Sequence, residues 1–162
     1  MKFSSVAIGS LALLLVVSCS GSRSFSKRGA KLDASGMYAE AADMYLQSAV
    51  RNAKNVDAKI GLKKTGQQVL NDKLSAFFKA FNMGSDKEAA VNAYLDAKDY
   101  QDRVQRAGVT LDIPDSYDAD FKQVKGEYLV QLYTQGHALL DQKDYPSAEA
   151  VVAKIGKLEP GY

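Results

Sequence analysis

The stretch Gly36-Met37-Tyr38-Ala39-Glu40-Ala41-Ala42-Asp43-Met44-Tyr45-Leu46-Gln47-Ser48-Ala49 leaves this chain few ways to fold. Glycine takes the left-handed backbone that ends a helix, so Gly36 predicts a stop. Tyr38 follows in the turn, and Ala41, Ala42, Tyr45, Ala49 and Val50 then recur on one helical face. Small residues let helix backbones approach, and an aromatic fills the space left beside them. This alternation predicts a helical hairpin. Its first helix covers about residues 25–35, with Phe25, Gly29, Leu32 and Gly36 on one face, and its second covers about 39–53.

Related patterns follow. Asn55 is placed to cap a helix over 56–83 whose apolar stripe is Leu70, Leu74, Phe77, Phe78 and Phe81. Gly61 and Gly66 weaken its first half and predict a kink or break near Gly66. Ser85-Asp86-Lys87-Glu88 reads as a capping box with Ser85 as the cap. The helix after it carries Ala90, Tyr94 and Ala97 inward and ends near Arg106, before Gly108. Residues 109–116 form a break in which Leu111 and Ile113 tuck against the helices and Pro114 stops any helix from running through. Asp115 or Ser116 caps the next helix, over 117–142, with Phe121, Val124, Tyr128, Leu132, Leu139 and Leu140 on its apolar side. Pro146 fits the first turn of the last helix.

Taken together, these positions resemble the tetratricopeptide repeat (TPR) family, whose unit is a hairpin of about 34 residues. Phe25, Gly29, Leu32, Gly36, Tyr38, Ala41, Tyr45 and Ser48 fill the family's places in order. So do Leu132, Gly136, Leu139, Tyr145, Ala148 and Pro160, with Val152 for the usual aromatic and Ile155 for a small residue. Ala53 stands where the first closing proline belongs. The resemblance implies an all-α, right-handed stack of about three TPR-like hairpins with two extended helices. The inward alanines Ala41, Ala90 and Ala148 lie 49 and 58 residues apart, so the repeats are irregular. A compact bundle of about six helices therefore stays open. In the family, peptides lie in a groove lined by first helices. The matching positions here are Lys27, Ser75, Lys79, Tyr133 and His137. Ser26 and Ala30 occupy the places of the family's carboxylate clamp, so chaperone-tail binding is not implied.

Residues 1–18 read as a secretion signal, with Lys2 before the apolar run Val6–Val17. The run is too short to span a bilayer, which takes about 20 residues. It ends in Val16-Val17-Ser18-Cys19, which resembles the lipobox of bacterial lipoproteins. That resemblance implies cleavage before Cys19, a lipidated Cys19 thiol and acyl chains in a membrane. Residues 19–24 then form a flexible tether, and 25–162 form the helical domain. By the same resemblance, to lipoprotein sorting, Ser20 beside the cysteine does not favour retention in the inner membrane, so the expected address is the outer membrane, facing the periplasm.

The 21 basic and 19 acidic residues are interspersed, which argues against nucleic acid as a partner. Gly61 and Gly66 have phosphate-loop spacing, but Gln67 and Gln68 stand where Lys and Ser/Thr belong. One cysteine and one histidine, His137, offer no nucleophile–base pair by motif. The expected function is a membrane-anchored, periplasmic protein-binding adaptor. The alternative is a structural accessory subunit of an envelope assembly or export complex. Neither involves an enzyme activity, a cofactor, a metal or a small-molecule substrate. Replacing Cys19 by Ala should abolish incorporation of labelled palmitate, read by autoradiography of the immunoprecipitated protein.

Overall fold

The computed structural model describes the backbone of residues 7–160 and the side chains of 21–160. The side chains of the expected signal peptide and of Cys19 lie outside those residues. The described chain is all-α, with six helices and no strand: α1 (Ala7–Ala34), α2 (Tyr38–Arg51), α3 (Val56–Met83), α4 (Lys87–Arg106), α5 (Asp115–Asp141) and α6 (Tyr145–Leu158). They gather into two compact units. The first holds the described residues up to Asp72 together with Ala97–Asp112, and the second holds Lys73–Asp96 and the residues from Ile113 onward. The boundary falls inside α3 and α4, so each of these helices contributes to both units.

In the first unit α1 packs along α2. Gly36 has φ 76° and ends the α1 turn, while Met37 N–H donates to Leu32 O at 3.0 Å. This closes the helix end as a Schellman motif does. Tyr45 projects from α2 into a slot floored by two glycines. A Cβ on Gly29 would stand 3.0 Å from its ring, and one on Gly61 only 2.3 Å away. Gly61 therefore admits the aromatic, which explains its presence inside a helix. No break occurs at Gly66: α3 runs on as one helix from Val56 to Met83. Gly66 is buried close to Tyr100 and Leu111, and Thr65 donates to Gly61 O at 2.8 Å. Close packing on both sides offsets the cost of glycine to the helix.

The tail of this unit is extended and pinned. Leu111 is buried, as its apolar character predicts. Gln67 donates to Asp112 O and accepts from Asp112 N–H, both at 2.9 Å, and Gln101 donates to Leu111 O at 2.9 Å. The backbone of residues 19–24, expected to be a tether, lies within α1, and Ser22 is fully buried. Its hydroxyl and that of Ser48 each donate to the other residue's carbonyl, at 3.0 and 2.7 Å. These bonds satisfy polar groups that would otherwise carry a desolvation cost.

The core of the second unit is Phe77, Ala90, Val91, Tyr94, Val124, Tyr128, Leu132 and Val151. Phe77 meets Tyr94 edge-on at 5.2 Å, and Tyr94 stacks on Phe121 at 4.2 Å. Several sequence expectations change here. Phe78 is 52% exposed, because the buried stripe passes through Leu74 and Phe77 and each helical step turns a side chain by about 100°. Val151 is buried in α6 and Val152 is 62% exposed, so the inward position is one residue earlier than expected. Leu140 and, in the first unit, Val50 and Tyr38 are also exposed. The cap of α4 is Asp86, which accepts from Ala89 N–H at 2.8 Å, and not Ser85. Pro114, without a side-chain cap, precedes α5, which starts at Asp115. Pro146 does sit in the first turn of α6, capped by Asp144.

Gly61→Ala should destabilise the protein, since overpacking costs about 1–3 kcal/mol and the gain in helix propensity returns at most ~1 kcal/mol. Gly156→Ala, where no atom lies within 4 Å of the new methyl, should stabilise it by up to ~1 kcal/mol. Urea midpoints followed by circular dichroism separate the two.

Candidate functional site

The five positions expected to line a groove are all exposed, but they do not share one unit. Lys27 belongs to α1 in the first unit. Ser75 and Lys79 on α3, and Tyr133 and His137 on α5, belong to the second. Helical register brings Ser75 within one turn of Lys79. It also sets the Tyr133 and His137 rings against each other, 4.7 Å apart and tilted by 58°. His137 is thus an exposed ring partner of Tyr133.

Tyr133 opens onto a cavity of about 300 Å³ lined by Gly126, Leu129, Val130, Tyr133, Thr134 and Ile155. The sequence explains why it is there. Val124, Tyr128, Leu132 and Gly136 face the core at spacings of four, which turns Val130 and Tyr133 away from it. Gly136 faces Val151 of α6, where a Cβ would stand 3.5 Å away, an ordinary van der Waals contact. Val130 and Tyr133 stay 68% and 53% exposed. The lining holds no charged side chain. Leu129, Val130, Thr134 and Ile155 were not selected from the sequence. Val130 carried a readable signal, an apolar residue off the core stripe of α5.

Polar bonds hold the helices that form this groove. Glu88 on α4 accepts from Lys154 on α6 at 2.9 Å and is also bonded by Tyr128 on α5. Lys154, then Tyr128, holds the Glu88 carboxyl below its ordinary range. Burial, and next the bond to Glu88, pushes the Tyr128 hydroxyl up to about 12. Burial raises Tyr94 further, aided by its bond to Asp118. Lys125 reaches Glu159 at 2.6 Å. Burial and these bonds favour the neutral form of both tyrosines, which pack and hydrogen-bond in the core. Among the described residues, no three His, Cys, Asp or Glu side chains gather to hold a metal. No helix among those residues is long and apolar enough to cross a membrane.

The groove is therefore a small apolar cleft with an aromatic and an imidazole at its rim, a shape that suits an apolar side chain of a partner. No known protein family matches the chain, and neither does any curated protein or solved structure.

The raised tyrosines predict an alkaline limb. Below pH 10, their ordinary value, Tyr94 and Tyr128 are neutral in both folded and unfolded chains, and their contribution is complete. Above pH 10 the unfolded chain ionises first, so stability falls toward about pH 12, where folded Tyr128 ionises. The Tyr94→Phe/Tyr128→Phe variant should show a shallower fall over this window in urea unfolding at stepped pH.

Proposed function

We propose that the chain is a lipid-anchored adaptor of the bacterial cell envelope, held at the outer membrane facing the periplasm, which recruits a protein partner. The lipobox-like Val16-Val17-Ser18-Cys19 supports the address, and the TPR-like positions support a binding role. The observation that carries the reading is the uncharged cleft on α5 and α6, with Val130 and Tyr133 exposed beside it. Exposed apolar residues clustered on a cleft, unlike ones scattered singly, mark an interaction site. The partner is a protein segment that places an apolar side chain in the cleft, with the Tyr133 hydroxyl and His137 imidazole available for hydrogen bonds. The mechanism is display. Acyl chains on Cys19 fix the protein to the membrane, and the cleft collects the partner there. No catalytic step, cofactor or small-molecule substrate enters this function.

A second reading, an accessory subunit held by a broad surface, draws on exposed apolar residues away from the cleft, among them Ile60, Phe78 and Met83. Affinity purification of the tagged protein from solubilised envelopes tests both. Val130→Asp and Tyr133→Ala, both at exposed positions, should each weaken recovery of the partner. Central anchors contribute about 2 kcal/mol or more, which is roughly 30-fold in affinity. Unchanged recovery favours the broad surface, and absence of any specific protein with the wild type sinks both.

A further inference from the structure

A polar basin of about 380 Å³ lies in the first unit, lined in part by Arg23, Lys27, Asn52, Lys54, Asn55 and Asp57. It sets three cations against one carboxylate. Arg23, Lys27 and Lys54 enter no ion pair among the described residues, so no carboxylate within 4.0 Å neutralises the basin's cations. An open concavity that gathers unpaired cations attracts an anion. The cations extend along α1, where Arg23, Lys27 and Lys31 recur at spacings of four and so share one face.

The basin is rigidly coupled to the start of the domain. Ser22, fully buried, exchanges hydroxyl–carbonyl bonds with Ser48. Asn55 Nδ2 donates to the Ser22 and Ser48 hydroxyls at 3.0 and 3.1 Å, and its Oδ1 accepts from Ala58 N–H at 3.1 Å. Asn52 Oδ1 accepts from Lys54 N–H at 3.0 Å, which fixes the turn that carries Lys54. Ser22 follows Cys19 by three residues, a rise of about 5 Å in a helix.

We propose that this basin cradles the phosphate of an anionic phospholipid headgroup, so that the first unit rests on the bilayer surface and does not swing from a tether. The proposal rests on Cys19 being the lipid anchor. Given that anchor, Arg23 and Lys27 follow it by four and eight residues, within reach of headgroups of the leaflet that takes the acyl chains. A soluble phosphate or an acidic protein segment shares part of the required chemistry but not this placement.

Lysine labelling tests the cradle. The acylated protein is reconstituted in vesicles of phosphatidylcholine alone, or of equal parts phosphatidylcholine and phosphatidylglycerol. It is treated with an amine-reactive reagent and read by mass spectrometry. Labelling of Lys27 and Lys54 should fall several-fold in the anionic vesicles and recover as sodium chloride screens the charges. Arg23→Gln should reduce that protection while helical content by circular dichroism is unchanged. Equal labelling in both vesicle types overturns the proposal and favours an acidic protein segment. Protection by inorganic phosphate with none from phosphatidylglycerol overturns it in favour of a soluble anion. Palmitate labelling at Cys19 reports the anchor separately. A palmitoylated chain without protection loses the cradle and keeps the anchor. A chain without palmitate that is protected when anionic vesicles are added keeps the cradle and loses the anchor.

Discussion

The ring of Tyr45, wedged where Gly29 and Gly61 leave no side chain in its way, is the contact on which the first unit depends. Three helices contribute to it: α2 supplies the ring, and α1 and α3 supply the gaps. Burial of an aromatic yields a large apolar gain, but only when its neighbours are small enough to reach van der Waals contact. The two glycines thus convert a cost in helix propensity into a close approach. The same logic, less tightly, places Gly66 beside Tyr100, whose hydroxyl would stand 3.2 Å from a Cβ there.

Around that slot the polar groups are matched in pairs. Ser22, Ser48 and Asn55 form a compact network joining α1, α2 and the start of α3. Lys64 on α3 holds both oxygens of Asp33 on α1, at 2.9 and 3.0 Å. The exposed ion pair contributes little by itself, whereas the buried hydroxyls would be costly if left unpaired. In the second unit the equivalent role falls to rings. Tyr94 is stacked on Phe121, edge-on to Phe77 and bonded to Asp118, while Tyr128 reaches Glu88. What remains for function is what these cores do not consume: an uncharged cleft around Tyr133 in one unit, and a basin of unpaired cations in the other.

The helices themselves were legible. Period and punctuation place α3 at Val56–Met83, end α4 at Arg106 and put Pro146 in the first turn of α6, all as the structure has them. Finer assignments failed where one residue of register matters. Val151 and Val152 are chemically identical, and it is Val151 that the packed core of the second unit takes in. Asp86 and Ser85 are both good caps, and the backbone geometry chose Asp86. Of the cleft's lining, only Tyr133 was singled out in the sequence, by its match to a groove position of the repeat family. The other members of its cleft, Leu129, Val130, Thr134 and Ile155, are ordinary helix residues until two helices bring them together.

The sequence by itself determined the class of fold. An amphipathic period of 3.6 with glycine and proline at the breaks admits helices and little else. It also carried the lipobox-like cysteine, a purely linear signal. Tertiary structure alone decided that Gly61 exists for Tyr45, that residues 19–24 are helical and not a tether, and that Arg23, Lys27 and Lys54 share one basin. The physical reason is range. Periodicity is set by neighbours three and four residues away, whereas the Ser22–Ser48 bonds and the Gly61–Tyr45 contact join residues 26 and 16 positions apart. Their energies exist only once the helices have already packed.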